Sequence, residues 1–345
     1  MTQTTTAQDG HVGGEAANEA LEMPERLHQL LRCPITGGPV HLSPSRDRSE
    51  GAPLCWSDAP AGERIEFPVV GGQPVLVNFA DSVLSRAHVI ATGARSLLAS
   101  RVTRGTGRPF VWRLLFGENP VAAENAHRFV AALPPRSDGR APLVLVIGGG
   151  TLGAGIAELR EGGAEIVAFD VYASSHTDFI ADAHAIPLAD GVVDGVWIQA
   201  VLEHVLDPWR VADEIWRVLA PDGVVYAETP FLQPVHEGAY DFTRFTESGH
   251  RWLFRRFERL DSGVVTGPGT VLFQALLQCA WAVVPYRKLG TLMALPFFWL
   301  RFLDRLADPG YASDGASGTY FLGRRAVEAL PPSEMPGAFR GAPMP

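Results

Sequence analysis

The chain has 345 residues, with 29 basic and 38 acidic side chains and a formal net charge of −9. That balance excludes the basic stripe of a nucleic-acid surface, and no nucleic-acid partner is expected. Three scattered cysteines (Cys33, Cys55, Cys279) exclude a disulfide framework, and the absence of a signal core or of a spanning run of roughly 18 apolar residues points to a cytoplasmic protein.

Residues 1–23 read as disordered from their polar composition, and so does the Pro-rich stretch 331–345. Residues 24–80 read as a small β-rich domain. Leu30-Leu-Arg-Cys33-Pro-Ile-Thr36-Gly-Gly-Pro-Val40 forms a strand-turn unit, and Phe67-Pro-Val-Val-Gly71-Gly72-Gln-Pro-Val-Leu-Val77 carries a Gly-Gly hairpin signal. Together these segments resemble the small zinc-ribbon-like activator subunit of tRNA and release-factor methyltransferases. The zinc forms of that fold use cysteine pairs two residues apart. Here Thr36 replaces the second cysteine, and Cys55 is followed by Trp56. A tetrahedral zinc site needs four ligands, and only Cys33, Cys55 and His41 are nearby. A metal-free ribbon is therefore expected, and no metal ligand is assigned anywhere in the chain. Residues 81–120 read as a helical linker, helical from Ser85 to Ser100, with Trp112-Arg-Leu-Leu-Phe116 placed to pack on the domain at 121–330.

That domain opens on Leu143-Val-Leu-Val-Ile147, an apolar run with no polar alternation, as in a parallel strand covered on both faces. Gly148, Gly150 and Gly153 follow, and let the backbone turn tightly and approach a ligand. Asp170 ends the next apolar run, where a carboxylate can accept hydrogen bonds from both ribose hydroxyls of a nucleoside. The spacing Gly148-x-Gly150-x-x-Gly153 suits the diphosphate of a dinucleotide on a helix N-terminus. The same architecture also binds S-adenosylmethionine. Many methyltransferases carry an acidic residue two positions before the first glycine. Val146 stands there, so this stretch alone leaves both cofactors open.

The following residues discriminate between them. Asp182-Ala183 precede Ile186-Pro187; Asp194 opens a strand that runs to Gln199; Leu202-Glu203-His204 form the turn beyond it. Pro230-Phe then leads through His236 and Asp241 to Arg244-Phe-Thr246. This pattern resembles the class I S-adenosylmethionine-dependent methyltransferases over roughly residues 120–326. The resemblance implies a Rossmann-like α/β fold: a seven-stranded, mostly parallel sheet with helices on both faces and an antiparallel last strand at Thr319–Arg325. It implies that Gly148, Gly150, Gly153, Asp170 and Val171 hold the cofactor. Asp182 would bind the adenine amino group, Ala183 would offer a backbone contact, and Gln199 would line the cofactor floor. His204, His236, Asp241 and Arg244 fall near the acceptor, with His236 as candidate general base and Asp241–Arg244 as an ion pair that fixes its loop.

Residues 268–306 are unusually apolar, and read as a helical insertion that serves as a substrate lid or as a peripheral membrane contact. The expected activity is methyl transfer to an oxygen or nitrogen of a small-molecule, sugar or lipid-linked acceptor. An NAD(P)-dependent oxidoreductase and a catalytically inactive scaffold are the alternatives.

Overall fold

The computed structural model describes residues 23–43, 55–60, 62–92, 94, 119, 121–151 and 153–343. The stretch 1–22 and the Trp112–Phe116 motif lie outside the described residues. Of the helix expected from Ser85 to Ser100, the described part is Arg86–Thr92.

Twelve strands follow in chain order among the described residues: β1 His41–Leu42, β2 Cys55–Asp58, β3 Arg64–Glu66, β4 Val69–Val70, β5 Gln73–Leu76, β6 Leu143–Ile147, β7 Glu165–Asp170, β8 Phe179–Ala181, β9 Val193–Gln199, β10 Leu219–Pro230, β11 Phe257–Thr266 and β12 Gly318–Arg325. The main sheet runs β11-β12-β10-β9-β6-β7-β8-β5-β4. From β10 to β5 every neighbour is parallel, while β12 inserts antiparallel between β10 and β11. The seven expected strands, β6 to β12, are all present.

The N-terminal region is β-rich, as expected, and also joins the main sheet. β1, β2 and β3 form their own small sheet, but β5 pairs parallel with β8 and extends the main sheet to nine strands. The β4–β5 hairpin turns at Gly71 and Gly72, both with positive φ, as a tight two-residue connection requires. Leu31 also bridges Leu188. Leu27, Leu31, Cys33, Cys55, Phe67 and Leu76 are buried in the same apolar cluster as Phe169, Phe179 and Leu188. An edge strand leaves a row of backbone groups unpaired, and the N-terminal segment covers the edge at β8.

Alternation decides which face each side chain serves. Leu143, Leu145 and Ile147 join Val196, Ile198, Val225 and the helix Pro208–Val218 on one face. Val144 and Val146 join Trp197, Tyr226 and the helix Ala122–Ala132 on the other. Trp197 stacks on Tyr226 with centroids 4.0 Å apart. Asp207 caps the helix Pro208–Val218 by accepting from Arg210 N, with Pro208 at its start.

The segment 268–306 is helical: Pro268–Val283, Arg287–Ala294, then 3-10 turns over Leu295–Arg305. Asp304 ties its ends together by accepting from Gly267 N, Gly269 N, Thr270 N and the Thr270 hydroxyl. Phe273, Leu277 and Leu300 are buried, while Val283, Tyr286, Leu292 and Leu306 face solvent.

The Pro-rich stretch after Leu330 corrects the expectation of disorder as far as residue 343. It forms short 3-10 turns at Pro332–Glu334 and Pro336–Ala338. Leu330 N donates to Arg255 O, Arg259 donates to Ala338 O, and Ala342 N donates to Asp314. Partners distant in sequence satisfy this backbone, which composition cannot register.

Candidate active site

The carboxyl ends of β6, β7 and β8 build the first half of the site. Gly148 has φ of +79°, and the amides of Gly148 and Gly149 both donate to Phe169 O at 3.0 Å. Gly150 N donates to Asp170 Oδ2 at 2.9 Å, and Val171 N donates to Asp170 Oδ1 at 2.7 Å. A Cβ at Gly148 would lie 2.4 Å from the Val201 side chain; at Gly150, 2.4 Å from the Tyr172 ring; at Gly153, 2.7 Å from Gln199 Oε1. Gly148, at positive φ, and Gly150, against the Tyr172 ring, leave no room for a side chain, while at Gly153 the end of Gln199 would have to move. Burial pushes the Asp170 carboxyl up to about 6, against the two backbone bonds. Val171 is exposed beside it, an apolar surface at the strand end.

The helix of this βαβ unit starts late. Gly155, at φ of +93°, caps the six-residue helix Ile156–Glu161. The helix N-terminus thus lies beyond the Gly148–Gly153 fingerprint, away from the place a dinucleotide diphosphate requires.

Asp182 follows β8 and caps the turn Ala183–Ala185. Its Oδ1 accepts from His184 N at 3.0 Å and faces His184 Nδ1 at 2.6 Å, and its Oδ2 accepts from the Ser82 hydroxyl at 2.5 Å. Burial raises its pKa, but the bonds from His184 and Ser82 outweigh burial and hold it below the usual range. An ionised carboxylate offers four lone-pair directions, so Oδ2 retains one for an adenine amino group. Ala183 is buried in the turn. Gln199 ends β9, accepts from Trp197 Nε1 at 2.8 Å and sits against Gly153, as a floor residue should. The glycine turn, the paired Asp170 and the remaining acceptor on Asp182 fit the nucleoside of S-adenosylmethionine.

The carboxyl ends of β9 and β10 build the second half. Ala200, a non-glycine residue at φ of +51°, turns the chain out of β9. Such backbone is strained by on the order of 1 kcal/mol and persists where surrounding structure enforces it. Here Ala200 N is held by Glu228 O at 3.1 Å. Glu203 is fully buried, and among the described residues neither of its carboxyl oxygens has a hydrogen-bond partner. Burial pushes its carboxyl up to about 8. His204 Nδ1 lies 2.6 Å from Tyr240 O. His236 comes from the loop after β10, and its Nε2 lies 3.1 Å from His204 Nε2. Glu203 Oε1 is 3.6 Å from the first of these nitrogens and 3.7 Å from the second.

Asp241 fixes that loop. It accepts from His236 N at 3.0 Å, faces His236 Nδ1 at 3.4 Å and forms a two-pronged ion pair with Arg244. Arg244 also bonds Gln233 O at 3.2 Å. Burial raises the Asp241 pKa, but the Arg244 and His236 bonds prevail and lower it. Burial and the neighbouring His204 lower the His236 pKa.

All four expected acceptor-side residues, His204, His236, Asp241 and Arg244, thus meet in one cluster. Sequence reasoning gave no role to Glu203, Ser82 or Tyr172. Glu203 was visible in the Leu-Glu-His turn, but its burial against His236 depends on a loop that comes 32 residues after His204.

Residues 145–227 match the family described as "Methyltransferase domain". An uncharacterized methyltransferase of Mycobacterium sp. (strain KMS) is 40% identical over 83 residues, covering 21% of this chain and 33% of that protein. Another, from Mycolicibacterium gilvum (strain PYR-GCK), is 44% identical over 55 residues, covering 16% and 22%. The match therefore spans a third or less of the length of these relatives. Among solved structures, the chain is similar to the 1,6-didemethyltoxoflavin-N1-methyltransferase of Burkholderia thailandensis, with 16% identity, a TM-score of 0.39, and coverage of 79% of this chain and 99% of that one.

Proposed function

We propose that the chain transfers a methyl group from S-adenosylmethionine to an oxygen or nitrogen of a small-molecule, sugar or lipid-linked acceptor. The observation that carries this reading is the pairing of two half-sites along one edge of the sheet. The glycine turn with Asp170 closes over the ends of β6 and β7. The Glu203–His204–His236 cluster gathers beyond β9 and β10.

The cofactor supplies an activated sulfonium methyl, so the protein's main tasks are alignment and exclusion of water. Asp170 orients the ribose, and Asp182 with Ala183 receives the adenine. The cluster around His236 handles the charge and proton of the acceptor. His236 has the carboxylate partner of a general base in Asp241, but its Nε2 faces His204 rather than an open position. The reactive unit is therefore the cluster, not one imidazole.

The segment 268–306 supports a hydrophobic acceptor. Val283, Tyr286, Leu292, Met293, Phe302 and Leu306 are all more than half exposed, an apolar surface of the kind that meets lipid or a greasy substrate. No described helix is long and apolar enough to cross a membrane, so the contact proposed is peripheral. The late helix start at Ile156 weighs against an NAD(P) enzyme, and the intact Asp170 and His236 surroundings weigh against an inactive scaffold.

The test is to incubate the protein with methyl-labelled S-adenosylmethionine and fractionated bacterial metabolites and lipids. Label should pass into one acceptor fraction with the wild type and not with Asp170→Ala. An absence of transfer to every fraction, despite cofactor binding, would favour the scaffold.

A further inference from the structure

The sequence assigned no metal to this chain, yet the buried cluster brings together three groups that can hold one. His204 Nδ1 lies 2.6 Å from the carbonyl of Tyr240, so Nδ1 carries a hydrogen and Nε2 is the atom left to face the cluster. His236 Nδ1 faces the Asp241 carboxylate at 3.4 Å, and its Nε2 is turned into the cluster. These two Nε2 atoms point at one another across 3.1 Å. Glu203 adds a fully buried carboxyl group, to neither oxygen of which any described residue donates a hydrogen bond. Three atoms that can each offer a lone pair to a metal thus converge.

Their geometry shows what fits between them. The three separations are 3.1, 3.6 and 3.7 Å. The nearest point equidistant from all three atoms lies about 2.0 Å from each, the bond length of a first-row divalent ion to imidazole and carboxylate. Glu203, His204 and His236 also satisfy the donor set for a metal ion, with ligand atoms all within 4.8 Å. Both imidazoles are oriented from behind, His204 by Tyr240 O and His236 by Asp241, as the outer shell of a metal ligand requires.

We propose that Glu203, His204 and His236 bind one divalent transition-metal ion, with Asp241 and the Tyr240 carbonyl as its orienting second layer. At that point the two nitrogens and one oxygen ring the ion in one plane and leave the positions above and below it to water or to an acceptor oxygen. In this site His236 is a ligand rather than the base. The inference deepens the methyltransferase reading, on which its catalytic role rests. An acceptor hydroxyl bound to the metal releases its proton to solvent, and its oxygen lone pair forms the new O–C bond to the sulfonium methyl. The C–S electron pair stays on sulfur, leaving a thioether.

The experiment uses full-length protein stripped with a chelator, and needs neither cofactor nor acceptor. Cobalt(II) is titrated while its visible d–d bands are recorded, with zinc(II) and manganese(II) followed by calorimetry. The proposal predicts one cobalt per chain, a tetrahedral or five-coordinate spectrum, displacement by zinc, and at least a tenfold loss of affinity in His236→Gln and in Glu203→Gln. Circular dichroism checks each fold. If Glu203→Gln fails to fold, His236→Gln carries the test, because His236 lies on a loop. No binding at millimolar metal, or binding undiminished in the variants, would overturn the proposal and leave a proton shared by the two imidazoles. Binding of S-adenosylhomocysteine by the same sample is measured separately, so failure of the metal site is distinguishable from failure of the methyltransferase reading.

Discussion

The hydroxyl of Ser82 donates to Oδ2 of Asp182 across 100 residues of sequence, at 2.5 Å. Ser82 follows β5, the strand that the N-terminal region adds beside β8, and Asp182 follows β8 itself. The N-terminal region therefore reaches the carboxylate that the resemblance assigns to adenine. Removing the hydroxyl leaves a buried acceptor with one donor fewer, at about 1–2 kcal/mol. Ser82→Ala should lower folding stability by that amount in chemical denaturation, while cofactor affinity changes little, because the adenine-facing lone pair is untouched. An unchanged denaturation midpoint would mean that this contact does not join the two regions.

Asp170 carries a pH dependence whose sign follows from its burial. Its folded pKa is raised to about 6, above the ordinary value. Ionisation therefore destabilises the ligand-free fold as pH rises through the window between about 4 and 6. Cofactor binding needs the ionised acceptor, so affinity should be full above about pH 6 and fall below it. Calorimetry with S-adenosylhomocysteine between pH 5 and 8 would show this fall. Asp170→Asn should flatten the profile and lower affinity at least tenfold at pH 8, roughly 1.4 kcal/mol. A wild-type profile flat down to pH 5 would contradict the assignment.

His250 makes a separate prediction about stability. It is buried among Phe245, Phe254 and Phe321, and burial drives its pKa down to about 3. The folded protein holds it neutral while the unfolded chain protonates near pH 6.5. Stability is thus present above about 6.5 and lost as pH falls towards 3, at up to about 1.4 kcal/mol per pH unit. His250→Gln should reduce the difference in denaturation midpoint between pH 7 and pH 5. An identical difference in the variant would assign the acid sensitivity elsewhere.

The apolar face of 268–306 is tested by substitution rather than removal. Leu292 is 62% exposed and Phe302 52% exposed, so Leu292→Ser with Phe302→Ser should leave the melting temperature nearly unchanged. Flotation with phospholipid liposomes should fall strongly. Equal flotation of wild type and variant, or none by either, would return the segment to the role of a lid.

The legible parts of the molecule were those built from local pattern. The unbroken apolar run of β6, the glycines after it and the carboxylate closing β7 are adjacent in sequence, and the pleat leaves them little choice of arrangement. The Gly71-Gly72 turn was legible for the same reason. Pairings across long separations were not. Nothing local marks β5 as the neighbour of β8, or Ser82 as the partner of Asp182. The tail read as unstructured because proline-rich composition is silent about Asp314 waiting to accept from Ala342 N. His236 was read as a single base because its spacing from His204 gave no hint that the two Nε2 atoms would meet.

The central claim is that the turn at Gly148–Gly153 and Asp170 holds S-adenosylmethionine. Parallel calorimetric titrations of the full-length protein with S-adenosylhomocysteine, NAD and NADP test it most directly. The account predicts micromolar binding of S-adenosylhomocysteine alone, lost in Asp170→Ala. Binding of a dinucleotide without S-adenosylhomocysteine would contradict it.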